Sequence, residues 1–251
     1  MRPLTVLIPT FNEADNLREL LPLVSWADEV LVVDSFSTDD TLEVAQKAGA
    51  RIIQREYGNS ASQKNWAIPQ AKNEWIFLLD ADERPSKDLT AEIKAIMSQA
   101  EDPQGPIAYW MGRDNHFMGQ AVRFSGWQND AVIRFFKRDC CSYEEKEVHA
   151  EIITKGKVAW LKGRLLHYTF KNMRHFMAKM ERYAHWSAGD YASKTPKVGF
   201  FHLYLKPAFR FFKHYIIQQG FRDGKVGFIV CKLLAWGVFM RYVILLEKRG
   251  H

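Results

Sequence analysis

The sequence predicts an α/β protein, a parallel sheet covered by helices, followed by a helical C-terminal appendage. Three observations predict it. Short apolar runs alternate with amphipathic stretches up to Pro106. Beyond Pro106 the texture changes to strand-like pieces broken by polar loops. Residues 197–251 are at once basic, aromatic and helical in pattern. With 251 residues, 47% hydrophobic and 25% charged, the composition is that of an ordinary globular chain and excludes disorder, collagen and coiled coil.

Each element has its own signal. Leu4 to Ile8, Glu29 to Asp34, Ala50 to Gln54 and Glu74 to Leu79 are short apolar runs of strand length. Ala14 to Val24, Asp40 to Gly49 and Ser60 to Ala71 separate them as helices; Leu42, Val44, Ala45 and Ala48 give the second an apolar face, and Gly49 is its natural stop. Pro85 and Ser86 open a fourth helix, which ends before Pro103. Strands follow at Ile107 to Arg113, Ala131 to Lys137, Ile152 to Thr154, Val158 to Leu161 and Leu165 to Thr169. Met173, Phe176, Met177, Met180 and Ala184 then fall at helical spacing, a core stripe rather than a site. The boundaries implied are 1–170 for the sheet domain, divided at 106/107, and 171–251 for the helical region.

Three cysteines, Cys140, Cys141 and Cys231, two of them adjacent, cannot form a disulfide framework, so a reducing, cytoplasmic setting is expected. Nothing ahead of Leu4 has the pattern of a signal peptide. Net charge is +6, but residues 197–251 alone carry +8 and 8 of the 17 phenylalanines. That combination points to an anionic membrane surface, with a solvated basic face as the plainer alternative. Nucleic acid is disfavoured because the basic residues are confined to the apolar tail. Val226 to Leu246 has about the length of a membrane span, but Lys232 and Arg241 interrupt it, and each central charge costs about 2.5–3.5 kcal/mol on insertion. Lys206-Pro207 is expected to interrupt the preceding helix. A peripheral or monotopic platform on the inner face of the membrane is therefore expected.

Ligands of an open parallel sheet bind at the carboxyl ends of its strands. There the sequence places Pro9-Thr10-Phe11-Asn12-Glu13, Asp34-Ser35-Phe36-Ser37 and Asp80-Ala81-Asp82-Glu83, with Gln63-Lys64-Asn65 ahead of the last. Neither a dinucleotide fingerprint nor a P-loop is present. Asp80 and Asp82, one residue apart on an extended strand, would point the same way and hold one hard divalent ion, Mg²⁺ or Mn²⁺, against a diphosphate.

The combination V-L-I-P-T-F-N-E, V-V-D-S-F-S-T-D-D-T and Q-K-N-W-A leading into W-I-F-L-L-D-A-D-E resembles the family 2 glycosyltransferases of the GT-A fold, a Rossmann-like, mixed, mostly parallel sheet with helices on both faces. Gly126-Trp127, Arg134-Phe135-Phe136-Lys137-Arg138, Val148-His149, His167-Tyr168-Thr169 and the tail run G-F-R-D-G-K-V-G-F from Gly220 are similar to the bacterial branch that builds lipopolysaccharide core and related surface glycans. The resemblance covers nearly the whole chain. It implies an inverting, metal-dependent transferase moving a sugar from a nucleotide diphosphate sugar, a UDP-sugar first among them, to a membrane-associated glycan or lipid-linked acceptor. Residues 1–106 would be the nucleotide-sugar half and 107–170 the acceptor half. Pro9, Thr10 and Glu13 would line the nucleoside pocket, Asp34 would contact base or ribose, Lys64 would reach the nucleotide, Asp80 the ribose, and Asp82 would ligate the metal.

By residue type alone, Asp34 also suits a turn, Lys64 a solvated helix face and Glu13 a first helical turn. Two positions depart from the family. Ser35 stands where many members have a second Asp, and Ala150 where the branch has the Glu of Val-His-Glu. The acceptor hydroxyl needs a carboxylate base. Glu151 is preferred, with Asp130 and Glu147 as the other candidates and His149 beside them; His167 is expected to be structural, and Trp127 either stacks on a sugar ring or packs over the site. The competing classes are a nucleotidyltransferase of similar sheet architecture and a sugar-nucleotide-binding membrane protein lacking its base.

Overall fold

A computed structural model describes residues 1–144, 151–170 and 173–250. The chain divides into two compact units, residues 1–113 with 131–167, and residues 114–130 with 168–251.

In the first unit, β1 (Leu4–Thr10), β2 (Glu29–Asp34), β3 (Arg51–Gln54) and β4 (Trp75–Leu78) are parallel, in the order β3-β2-β1-β4. The sheet continues antiparallel through β8 (Ala131–Lys137) and β6 (Ala108–Phe117), then β11 (Val158–Phe170) and the short β5 (Glu83–Pro85). Side-chain alternation explains the layering. Leu4, Val6 and Ile8 pack with Leu17, Leu20 and Val24 of helix α1 (Ala14–Val24) and with Leu89 and Ile93 of α4 (Lys87–Ser98). Leu7, Leu31 and Val33 face the other way, onto Ala61 and Ala67 of α3 (Ser60–Ala67). Between β2 and β3 runs α2 (Thr41–Lys47); Gly49 follows it with φ +74°, the left-handed stop expected.

Several boundaries differ from expectation. Helix α3 gives way at Ile68 to a 3-10 turn holding Pro69. The two strands expected at 158–161 and 165–169 are one, because Gly163 continues the extended chain: a Cβ there would lie 2.3 Å from Leu89 Cα, so glycine permits the close approach of α4 rather than a turn. The small pairings β5, β7 (Gln120–Ala121, against β6) and β9 (Cys141–Tyr143, against β10, Ile152–Thr154) have too few residues to leave a periodic signal.

The second unit is built on α5 (Met173–Ala192) and α7 (Gly224–Glu247). The buried stripe of α5 is Phe176, Ala184 and Ala188 with Met180 against it, whereas Met173 and Met177 are exposed. Lys206-Pro207 does not break its helix. Residues 201–217 run as a π-helical turn (Phe201–Leu205), α6 (Lys206–Phe212) and a second π-helical turn (Lys213–Ile217). Widening ahead of the proline relieves the ring's clash with the preceding turn while Lys206 N–H still bonds to Phe201 O.

The glycine-rich tail run is a packing motif. Asp223 accepts hydrogen bonds from Arg123 N–H, Phe124 N–H and Ser125 Oγ at 2.9–3.0 Å. Gly227 lets α7 pass the turn before it, since a Cβ there would fall 2.0 Å from Gly220 O. By length and hydropathy one helix, Gly220–Glu247, suffices to cross a membrane, among the described residues.

Candidate active site

The parallel strands end where the sequence places its polar runs. After β1 the chain turns through Asn12, a non-glycine residue at φ +55°, and after β2 through Phe36 at φ +59°. Such backbone strain persists only where surrounding bonds fix it. Here the two turns fix one another: Asn12 N–H donates to Ser37 Oγ, and Thr38 N–H donates to Asn12 Oδ1, both at 2.8 Å. Asp34 lies beneath them, fully buried, accepting from Ser37 N–H and Ser37 Oγ and from Gln54 Nε2. Ser35, standing where a second Asp is usual, accepts from Gln63 Nε2 at 3.2 Å, and its N–H donates to Thr10 O. Around Ser35 two buried polar atoms, Thr10 Oγ1 and Gln63 Oε1, have no hydrogen-bond partner in the structure. Glu13 caps the start of α1, its N–H on Thr41 Oγ1 and its carboxylate accepting from Asn16 Nδ2.

Asp80 and Asp82 do not share a strand face, because β4 ends at Leu78 and both lie in a turn. Their partners differ accordingly. Asp80 is gripped by Lys64, whose Nζ lies 2.9 Å from Oδ1, and by Arg134 on Oδ2. Arg134 also donates to both oxygens of the fully buried Glu83, at 3.1 and 3.0 Å, and to the Tyr143 hydroxyl at 3.0 Å. Lys64 is buried and sits 5.3 Å from the centre of the Tyr143 ring, so it is no solvated helix lysine. Burial works against ionisation of Asp80, but Arg134 and Lys64 outweigh it and hold the carboxyl well below the usual carboxylate range. The turn is tied to α1 by Arg84, which donates to Ala81 O and Asn16 O.

Asp82 is half-buried, with His167 Nε2 3.5 Å from its Oδ2. Antiparallel pairing of β11 with β5 sets His167 opposite Glu83 and so delivers the imidazole to the acidic turn. His167, expected to be structural, thus stands beside Asp82, and Arg134 and Glu83 join the same cluster without having been singled out in the sequence. Their only trace is the R-F-F-K-R run and the acid following Asp82.

The candidates for the base separate. Asp130 belongs to the second unit, where its Oδ2 accepts from Asn115 Nδ2 at 2.7 Å. Glu151 belongs to the first, exposed just ahead of β10, its backbone paired with Glu144. Glu147, His149 and Ala150 lie outside the described residues.

A mixed α/β sheet with loops fixed over its parallel strand ends, and a basic–acidic network beside a half-buried Asp–His pair, is a GT-A-like architecture. Residues 5–149 match the family described as Glycosyl transferase family 2, and the chain belongs to that family. It is 28% identical over 258 residues to an uncharacterised glycosyltransferase of Rickettsia felis, covering 99% of this chain and 91% of that protein. It is 26% identical over 235 residues to the lipopolysaccharide core biosynthesis glycosyltransferase LpsC of Rhizobium meliloti, covering 90% and 86%. In fold it is similar to S. aureus TarS 1-349 in complex with UDP-GlcNAc, with a TM-score of 0.50 at 13% identity over 98% of this chain and 91% of that one.

Proposed function

We propose that the protein is an inverting transferase of surface-glycan synthesis, moving a sugar from a nucleotide diphosphate sugar, a UDP-sugar first among donors, to a lipopolysaccharide-core or other lipid-linked acceptor at the cytoplasmic face of the membrane. The observation that carries this reading is the pair Asp82–His167 beside the Lys64–Asp80–Arg134 network at the strand ends. Similarity to LpsC along 90% of the chain supports the acceptor class.

The donor set fits a divalent ion. One carboxylate suits Mg²⁺ or Mn²⁺, which leave most coordination positions to water and phosphate oxygens, and an imidazole beside it favours Mn²⁺, the less strictly oxygen-bound of the two. Asp82, with His167 beside it, would hold the ion against the diphosphate; among the described residues no group of three or more His, Cys, Asp or Glu converges. When bound, it supplies positive charge to the leaving diphosphate.

The remaining work falls to the chain itself. Pro9, Thr10 and Glu13 would line the nucleoside pocket, with Asp34 holding the loop after β2. Lys64 and Arg134 keep Asp80 ionised and aimed as an acceptor for ribose hydroxyls. Residues 1–106 serve the donor and 107–170 the acceptor. For the base Glu151 stays first, at the start of a short strand of the same unit, with Asp130, which accepts from Asn115, and Glu147 as the alternatives. The test is nucleotide diphosphate release from a donor panel with and without Mn²⁺. Asp82→Ala should abolish the metal-dependent part; full activity of that variant in excess chelator contradicts the assignment.

A further inference from the structure

Helix 200–217 is inside out. The exposed positions are 200/201, 204/205, 208/209, 212/213 and 216/217, a continuous stripe in which only Lys213 carries a charge. Its rings stand well clear of the protein: Tyr204 is 61% exposed and Phe209 62%. The opposite face carries His202, Lys206, Arg210 and His214 at four-residue spacing, turned into the second unit. Lys206 Nζ donates to the Tyr242 hydroxyl at 2.8 Å, and the His202 ring lies 5.0 Å from the Tyr242 ring. His214 is buried, with Nδ1 2.8 Å from Ser125 O and Nε2 3.1 Å from an Arg210 nitrogen. Because Arg210 can only donate, His214 Nε2 accepts and Nδ1–H donates to the carbonyl. Burial and Arg210 push the His214 pKa down, in keeping with that neutral form.

A surface helix in water carries its charges outward and its apolar stripe inward. This helix does the reverse on both counts, over about 27 Å of length. By contrast α7, the helix that passes a span test, buries Val226, Val230, Val238 and Tyr242 in the core of its unit. Each of its two interrupting charges lies against a ring: Lys232 Nζ, on an exposed position, 4.5 Å from the Phe211 ring centre, and the Arg241 guanidinium 4.3 Å from that of Tyr191.

We propose that helix 200–217, and not α7, is the element that enters the membrane, lying in the plane of the interface with the Phe201–Phe209–Phe212 face against the acyl chains and its cationic row kept inside the protein. The proposal rests on the membrane-linked reading above and names the surface that serves it. Charge complementarity commits the occupant. From Ser193 to Arg222 there is no acidic residue, while Lys194 and Lys197 before the stripe and Lys213, Arg222 and Lys225 at its far end are exposed. Two such stripes facing each other in a dimer would bring like charges together; an anionic headgroup layer answers them. Shallow burial of aromatic surface plus basic flanks is the pair of signals that holds an interfacial helix.

The test is flotation of the full chain with phosphatidylcholine–phosphatidylglycerol vesicles. The parent should float, more with anionic than with neutral lipid, and Phe201→Glu/Phe209→Glu should lower the bound fraction about tenfold or more. Ile229→Glu, on an exposed position of α7, should stay within about twofold of the parent, because membrane contact falls to helix 200–217 and not to α7. Phe209→Ala/Phe212→Ala provides a milder version should the acidic pair unfold. Thermal melting and nucleotide binding should be unchanged throughout. A parent that floats and an acidic pair that floats equally well overturn this inference while leaving the membrane reading standing; a parent that never floats overturns both. Loss of self-association in the acidic pair, with vesicle binding retained, would assign the stripe to a second copy and overturn the proposal.

Discussion

Replacing Arg134 by methionine removes the hub of the buried network without changing the outline of the side chain greatly. Its guanidinium makes two bonds to Glu83, one to Tyr143 and one to Asp80, and is almost fully buried. Glu83, fully buried, is left with Arg113 at 3.3 Å and the Asp80 N–H at 3.0 Å. Removing one partner of a buried ion pair costs about 3–5 kcal/mol; with Arg113 compensating in part, a loss near 3 kcal/mol is expected in the first unit. Urea unfolding followed by tryptophan fluorescence reads it. Glu83→Leu/Arg134→Met should lose less than the sum of the single changes by about 2 kcal/mol, since removing both charges leaves neither unpaired. The pH dependence has a definite sign. Asp80 is held well below its unfolded value, so its contribution is complete above about pH 4 and is lost as pH falls further, with a slope up to about 1.4 kcal/mol per pH unit. Arg134→Met should flatten that acid limb. Single losses under about 1 kcal/mol that simply add, with an unchanged acid limb, would refute the network as described.

His167→Ala should reduce the gain in UDP affinity that Mn²⁺ confers by about tenfold or more, as loss of a metal partner does, read by titration calorimetry with and without the ion; an equal gain in parent and variant removes His167 from the site. Glu151→Gln should lower kcat by about 10²–10⁴ with the nucleotide Kd unchanged and should flatten the acid limb of the rate profile; parental kcat in Glu151→Gln returns the role to Asp130 or Glu147. Glu29 is buried and accepts from Thr5, Lys72 N–H and Arg51; burial raises its pKa but these bonds win and lower it, so Glu29→Ala should cost about 3 kcal/mol at pH 7, measured by denaturant titration. Gly227→Ala should destabilise the second unit by about 1–3 kcal/mol or more while sparing the first, as hydrogen exchange resolved by segment can show.

The parallel half of the fold is legible in the sequence because each strand is a short apolar run set between amphipathic helices, although the pairing of β1 with β4 is not one between consecutive strands. The positions of Thr10 and Asp34 at strand ends, and of Lys64 on the helix ahead of β4, are legible for the same reason. What the sequence hides depends on long-range pairing. His167 reaches Asp82 through β5, three residues long, and Arg134 reaches Asp80 and Glu83 across more than fifty positions. The period-two argument for Asp80 and Asp82 fails because the strand ends two residues sooner than the acids begin. The polarity of helix 200–217 is present as a periodicity, but a pattern of apolar and cationic stripes does not say which stripe faces out.

The central claim is sugar transfer from a nucleotide diphosphate donor, and the most direct measurement identifies the small-molecule product when the full chain is incubated with candidate donors and a lipid-linked acceptor fraction in Mn²⁺. The account predicts that one donor is consumed with release of its nucleotide diphosphate, one equivalent per sugar gained by the acceptor, and that Asp82→Ala abolishes it. Pyrophosphate release from a nucleoside triphosphate and a sugar 1-phosphate, with no transfer from any donor, would make the protein a nucleotidyltransferase, and tight donor binding with no turnover of any donor would make it a binding protein; either result contradicts the account.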